Sequence, residues 1–190
     1  GTHTKFTRIL NDLPPAVDGD TIILLGCGRT SNSGMLLAIR DWLDRLDVSA
    51  RVVLWDPEAV PDKFVLRKGE KLIPESFDVD DPKHLDTLDN AFLVISDIAV
   101  GDSLGFCSPY TDHVAETLQD YQQCARIKFL CVKHDIGRTR LRARKFFFYR
   151  GHNHEAFALT ELDAESFYLS AEHLRAVLDK KRKCSCIRNA

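Results

Sequence analysis

The sequence predicts an α/β domain with a mostly parallel central sheet and helices on both faces. Short apolar runs alternate with segments of helical periodicity, and most runs stop at glycine, proline or aspartate. The 190 residues, 44% hydrophobic and 28% charged, supply enough apolar material for a core and exclude a disordered chain. We expect one domain over residues 1–190, with a core of about 5–160, a C-terminal helix at about 170–181 and a basic tail at 180–190.

The first half of the chain carries the clearest alternation of strand and helix. The run TIILL is typical of a buried parallel strand, and Met35, Ile39 and Trp42 follow it at helical spacing. A second apolar run, RVVLW, stops at Asp56 and Pro57. The predicted order is strand 21–25, a helix opened by Gly34, strand 51–55, a charged loop 58–75 and a short strand 76–79.

The second half continues the pattern and ends in two strands that follow each other directly. AFLVIS and IKFLCV are apolar runs separated by a segment of helical periodicity. A turn-rich segment at 150–154 joins the last two runs, and Ser170 is a candidate helix cap. The predicted order is strand 91–96, helix 110–123, strand 127–132, the strand pair 145–149 and 156–160, and helix 171–181.

Charge is distributed unevenly along the chain. The net charge of −2 excludes a polycation, but residues 78–120 hold ten acidic residues and one basic, and residues 126–150 hold nine basic and one acidic. Arg138, Arg140, Arg142 and Arg144 alternate with other residues, so an extended strand would place them on one side. This side is our candidate RNA-contacting surface. A solvated face is the alternative.

Other features limit the possible environments of the protein. No apolar stretch approaches the length of a membrane span, and the first residues lack a signal peptide's apolar region. The only methionine is Met35, so we expect a piece of a longer polyprotein or an excised segment. Six scattered cysteines without CxxC spacing indicate reduced thiols. Cys184 and Cys186, together with the histidines, fit no common zinc spacing. His152 and His154 are interpreted as turn histidines beside Glu155, and we predict no metal site.

The end of the first predicted strand indicates a cofactor that contains a nucleoside. Gly26 and Gly28 let the backbone approach a ligand closely, and Asp56 stands where a carboxylate commonly binds a ribose diol. The dinucleotide fingerprint is absent, because Ser31 occupies its third glycine position. The long loop favours S-adenosylmethionine over NAD. An ordinary glycine turn followed by a strand-end aspartate remains the alternative.

Four dispersed residues form the strongest functional signal. Lys5 lies on a short first helix, Asp97 and Lys133 end two predicted strands, and Glu155 begins the last one. With Leu25-Gly26-Cys27-Gly28, Ile95-Ser96-Asp97 and Glu155-Ala156-Phe157, they resemble the Lys-Asp-Lys-Glu set of the RNA ribose 2′-O-methyltransferases. Over about residues 5–160 the sequence is most similar to the coronavirus-type cap methyltransferases of nidovirus replicases.

The resemblance implies a Rossmann-like fold and S-adenosylmethionine-dependent conversion of a cap-0 to a cap-1 RNA in the host-cell cytoplasm, where viral replication complexes lie. It implies Lys133 as the base that removes the proton of the ribose hydroxyl. A free lysine has a pKa of about 10.4, so the pKa of Lys133 would have to fall to about 8 for it to act near neutral pH. Capped RNA is the implied partner, and an activating viral subunit is left open. The implied catalytic residues are Lys5, Asp97, Lys133 and Glu155. The cofactor-binding residues that we expect are Gly26, Cys27, Gly28, Gly34, Asp56, Pro57, Asp78, Val79, Asp97 and Ile98.

The sequence departs from the family in ways that keep other functions open. The interval from Lys133 to Glu155 is short and rich in arginine, and Phe6 stands where the family has tyrosine. One alternative is a methyltransferase-like RNA-binding domain without activity. A methyltransferase that acts on a base nitrogen or a protein is another, and a NAD-dependent oxidoreductase is a third.

Overall fold

A central sheet organises the computed structural model, which describes residues 2–98, 109–135, 141–148, 155–168 and 176. The helices are α1 (Thr2–Leu10), α2 (Gly34–Leu46), α3 (Pro82–Asp86) and α4 (Pro109–Ala125), with a 3-10 turn at Pro61–Lys63. The strands are β1 (Thr21–Leu25), β2 (Arg51–Trp55), β3 (Glu70–Ile73), β4 (Leu93–Ser96), β5 (Phe129–Asp135), β6 (Arg142–Ala143), β7 (Lys145–Phe147), β8 (Glu155–Glu161) and β9 (Phe167–Tyr168).

Seven strands form the main sheet in the order β3-β2-β1-β4-β5-β8-β7. The first five in this order are parallel, whereas β8 is antiparallel to both β5 and β7. A second, two-stranded sheet pairs β6 with β9. The predicted α/β class with a mostly parallel sheet is confirmed, and the order of the parallel strands is that of a Rossmann-like fold.

Helices cover both faces of the sheet and divide the core into two layers. One face packs against α1 and α2, with Phe6, Ile39 and Phe157 in its core cluster. The opposite face packs against α4, with Leu118 and Val132 in its cluster. Burying each such side chain stabilises the fold by roughly 1.5–3 kcal/mol, so the two layers hold the sheet rigidly beneath its loops.

The third strand is the main correction to the predicted elements. It covers Glu70–Ile73, inside the segment predicted as a loop, and residues 76–79 form no strand. Gly69 turns the chain just before the new strand, at a φ of +85°. The Arg40 guanidinium binds the Glu70 carboxylate with a nitrogen–oxygen distance of 2.6 Å. An edge strand pairs on one side only and remains half exposed, so EKLI lacks the apolar run that marks a central strand.

Most other predicted elements are confirmed with shifted ends. Strand β5 runs on to Asp135, so Lys133 lies inside a strand and not at its end. The predicted final strand pair is present as β7 and β8. Of the predicted helix 171–181 only residue 176 is described, and Ser170 and the basic tail lie outside the described residues. Within the described ranges, no helix is both long enough and apolar enough to cross a membrane.

Candidate active site

Three of the four predicted catalytic residues lie at the carboxyl edge of the parallel strands. The Lys133 Nζ lies 3.3 Å from the Asp97 Oδ1, and these side chains are only 11% and 21% exposed. The Lys5 Nζ lies over two aromatic rings, 4.6 Å from the Phe6 centroid and 4.8 Å from that of Phe157. The amines of Lys5 and Lys133 and the carboxylate of Asp97 therefore lie in one region that is partly shielded from water.

Strand alternation explains why these side chains share a face. On β4, Ile95 belongs to the core layer beneath α1, and Asp97 follows two residues later. On β5, Cys131 belongs to the same layer, and Lys133 follows two residues later. Burial raises the pKa of the Cys131 thiol, the Asp97 charge raises it further, and the Lys5 charge opposes this. Lys5 and Asp97 thus both act on the thiol just below Lys133.

The fourth predicted residue, Glu155, is placed only through its backbone. It begins β8 and pairs with Asp135, two residues beyond Lys133 on β5. Because β8 is antiparallel, its first residue lies at the carboxyl edge of β5. The Glu155 side chain lies outside the described part of the structure, so its catalytic role stays a prediction.

The glycine loop after β1 lies directly against Asp97. The N–H groups of Gly26 and Cys27 both donate to the Trp55 carbonyl, at 2.8 and 3.2 Å. Gly26 has a φ of +83°, and a side-chain carbon there would lie 3.0 Å from the Asp97 backbone oxygen. This position requires glycine, because conformation and space both exclude a side chain. The loop and the Lys133–Asp97 pair therefore form one continuous site.

Asp56 shapes the loop from its other side. Its two carboxylate oxygens accept hydrogen bonds from the Gly28 N–H at 2.7 Å and the Glu58 N–H at 2.8 Å. A carboxylate oxygen can accept more than one hydrogen bond, so Asp56 retains capacity to bind hydroxyl groups. Burial, with a further contribution from Asp56, raises the pKa of the Cys27 thiol to about 12. Cys27 therefore remains protonated and is no nucleophile near neutral pH.

The start of α2 closes the loop. As predicted, Gly34 opens this helix, and the Ser33 Oγ caps it by accepting a hydrogen bond from the Leu36 N–H at 3.3 Å. A side-chain carbon on Gly28 would lie 2.8 Å from the Ser33 Cβ, so the loop folds back tightly on its own helix. Five residues separate Gly28 from Gly34, a longer connection than the compact dinucleotide turn provides.

The remaining predicted cofactor residues lie on adjoining loops. Asp78 is exposed, and its N–H donates to the His84 Nδ1 at 2.9 Å, whereas Val79 beside it is buried. Burial raises the pKa of the Tyr110 phenol, and the charges of Asp78 and Asp80 raise it further. Sequence reasoning missed Tyr110, because nothing in its helical pattern shows that this end of α4 approaches Asp78. Two further predicted residues flank the site: Pro57, which is exposed, and Ile98, which is partly buried.

The donor set fits a cofactor that contains an adenosine group. Asp56 and Asp78 follow β2 and β3, and their carboxylates can accept hydrogen bonds from ribose hydroxyls or an adenine amino group. The glycine loop supplies close backbone approach on the β1 side. These residues match an adenosine group in chemistry and in position, and their role in cofactor binding stays a prediction.

The predicted placement of the arginines on one side is wrong for the two that the structure describes, whereas their contact with RNA stays a prediction. The Arg142 guanidinium donates to the Gln119 carbonyl at 3.0 Å, against α4 on one face of the sheet. The Arg144 guanidinium binds Asp12, beyond α1 on the other face, with a nitrogen–oxygen distance of 3.0 Å. The chain leaves the short strand β6 after Ala143, so the alternation does not continue. Arg138 and Arg140 lie outside the described residues.

No group of three or more histidine, cysteine, aspartate or glutamate side chains forms a possible metal site in the described ranges. The His152 and His154 pair lies outside them. Among the cysteines described, Cys27, Cys124 and Cys131 are free thiols.

Comparison with known proteins assigns no function to this chain. No protein-family model matches the sequence, and no curated protein is similar enough to count as a relative. Among solved structures, the chain resembles an epimerase from the thermophilic methanogen Methanothermobacter thermautotrophicus at 12% identity and a TM-score of 0.43. The match covers 66% of this chain and 36% of the epimerase, so the chain spans about a third of that protein's length. Nothing about reaction or ligand follows from so distant a likeness.

Proposed function

We propose that this domain is an RNA ribose 2′-O-methyltransferase that uses S-adenosylmethionine and acts on the first nucleotide of a viral mRNA cap. One observation carries the proposal: the Lys133–Asp97 pair lies beside the glycine loop, with the Lys5 ammonium on the same face. The resemblance of these residues to the Lys-Asp-Lys-Glu set of RNA 2′-O-methyltransferases gives this arrangement its chemical interpretation.

The residues that would hold the cofactor follow from their positions. Gly26, Cys27 and Gly28 would border its methionine portion, and Asp56 would bind its ribose hydroxyls. Asp78 and Val79 would flank its adenine. S-adenosylmethionine, when bound, would supply a methyl group activated by a sulfonium charge.

The chain's own residues would orient the RNA hydroxyl and remove its proton. A ribose 2′-OH is a weak nucleophile while protonated, so a base within hydrogen-bond reach is needed. Lys133 is that base in our proposal, and Asp97, at 3.3 Å, would orient its amine and stabilise the ammonium that forms. Lys5 would carry a fixed positive charge that disfavours a second ammonium nearby.

The deciding experiment measures transfer of a labelled methyl group to a short cap-0 RNA and to the same RNA with a 2′-deoxy first nucleotide. We expect label on the ribose RNA alone, and loss of label in Asp97→Ala and Lys133→Ala. Equal label on both RNAs would move the reaction to a base nitrogen. No label on either RNA would contradict the proposal, and retained RNA binding would then favour the inactive RNA-binding domain.

The base assignment has its own test, a comparison of Lys133→Ala with Lys133→Arg. An arginine keeps the positive charge but does not give up a proton near neutral pH. We expect both variants to lose turnover by about 10²–10⁴-fold, the usual contribution of a general base. Lys128→Ala, an exposed lysine just before β5, is the matched control and should retain turnover. Near-normal turnover in Lys133→Arg would exclude proton abstraction by Lys133.

A further inference from the structure

The Lys5 ammonium lies in a cradle of two aromatic rings. Its Nζ lies 4.6 Å from the Phe6 ring centroid and 4.8 Å from the Phe157 centroid, both within cation–π range. The two rings meet edge to face, with centroids 5.6 Å apart and planes at 77°. Both phenylalanines are 0% exposed, so neither ring can turn away without disturbing the core.

Phe157 also adjoins the other catalytic amine. In the antiparallel register of β5 and β8 it stands directly opposite Lys133. Directly opposed residues on antiparallel strands lie on the same face, with their Cβ atoms roughly 4.5–5.5 Å apart. One ring therefore borders both lysines of the site. Among the side chains that the structure describes, the charged groups around it include Asp97 after β4 and Lys133 on β5.

Core packing alone does not explain this arrangement. Any large apolar side chain at position 157 would fill the layer beneath α1, and a lysine near a helix end usually extends its ammonium into water. Here the ammonium instead lies over the negative faces of two buried rings. A cation–π contact stabilises the charged ammonium form of lysine, and it does not stabilise the neutral amine to a comparable extent.

We infer that Phe157 is a positioning residue, which holds Lys5 as an ammonium over the reaction centre. The inference rests on the proposed function and deepens it by dividing the work between the two lysines. Lys5 supplies a fixed positive charge, and that charge favours the neutral, proton-accepting form of Lys133. Phe157 acts on the reaction through Lys5, because its ring contributes to both the position and the charged state of that amine.

The test replaces Phe157 with phenylalanines that carry one, two and three ring fluorines. Fluorine withdraws electron density from the ring face while changing its size little, so the series weakens the cation–π contact stepwise. We expect turnover to fall stepwise by about tenfold in all, while the KM for the cofactor stays constant. Turnover that is flat across the series would overturn the inference, since packing is nearly the same in every member.

Two comparisons separate this effect from a general loss of stability. Phe92 is the matched control, because it is also buried and has the Lys128 Nζ 5.6 Å from its centroid, but it precedes β4 at the amino edge. The same fluorinated residues at Phe92 should leave turnover unchanged. In ordinary mutants, Phe157→Tyr should retain turnover and Phe157→Leu should lose it, although both keep an apolar body at this position.

An NMR measurement distinguishes failure of this inference from failure of the proposed function. In protein with labelled lysine, the Lys5 ε-methylene should resonate upfield of exposed lysines because of the two rings, and Phe157→Leu should reduce that shift. If the wild type transfers no methyl group but the shift is present, the proposed function fails and the cradle stands. If the ε-methylene resonates with the exposed lysines, the cradle itself is refuted.

Discussion

Acid should destabilise this domain through His134, a buried histidine that the site does not use. The residue is 0% exposed, its Nδ1 lies 3.4 Å from the Asp135 carbonyl oxygen, and its Nε2 has no hydrogen-bond partner among the residues that the structure describes. Burial lowers the pKa of His134 to about 4, although the Asp135 carbonyl and charge act in the opposite direction. The folded protein therefore keeps this ring neutral, because a buried imidazolium would lack sufficient compensation.

The size of the effect follows from proton linkage. The unfolded chain binds a proton at His134 near pH 6.5, whereas the folded chain does so only near pH 4. The contribution of neutral His134 to the free energy of unfolding is therefore fully present above pH 6.5 and is lost as the pH falls toward 4. The His134 contribution lost relative to pH 7.5 is roughly 1 kcal/mol at pH 5.5 and roughly 2–3 kcal/mol at pH 4.5.

Urea denaturation at pH 7.5, 5.5 and 4.5 measures this loss, with His134→Phe and His134→Asn as references. Carboxylates also titrate in this range, so the informative quantity is the difference in pH dependence between wild type and variants. We expect both variants to lose less stability on acidification, whatever their stability at pH 7.5. Parallel curves for wild type and both variants would refute the claim that His134 is held neutral by burial.

Two further perturbations test the frame around the site. Glu70→Gln should cost about 3–5 kcal/mol in urea denaturation, because it leaves the Arg40 guanidinium, 12% exposed, without its charged partner. Asp44→Asn, at an exposed ion pair, is its control and should cost less than about 1 kcal/mol. Gly26→Ala should cost more than Gly19→Ala and weaken cofactor binding in calorimetry. Both glycines have a positive φ near +85°, but only Gly26 would place its new carbon against backbone, at 3.0 Å. Equal losses at Glu70 and Asp44, or at the two glycines, would contradict these arguments.

The central strands could be predicted from sequence because burial on both faces leaves a continuous apolar signature. The runs at β1, β2 and β4 carry it, and all three strands form where that signature lies. The edge strand β3 carries no such signature, since its first two residues, Glu70 and Lys71, are charged and none of its four residues is fully buried. The five-residue helix α3 is too short to show a period, so it could not be predicted either.

The site could be predicted in part for a related reason. Parallel strands end at one edge, so the proximity of Asp97 and Lys133 follows once both strands are recognised. The contact between Lys5 and Phe157 depends on how α1 lies on the sheet, which periodicity does not specify. The opposite directions of Arg142 and Arg144 arise where the chain passes from one sheet to the other, and local alternation contains no sign of that passage.

The reversed direction of β8 is what makes the site possible. Had β8 run parallel to β5, its first residue would lie at the amino edge, level with Phe129 and far from Lys133. Because it is antiparallel, Glu155 pairs with Asp135 and Phe157 stands opposite Lys133. The chain leaves β5 at the carboxyl edge and begins β8 at that same edge. The start of β8 therefore lies beside the Lys133 amine, although the two are more than twenty residues apart in sequence. A single reversed strand thus brings Phe157 and the start of β8 to the edge of the sheet where Lys133 and Asp97 lie.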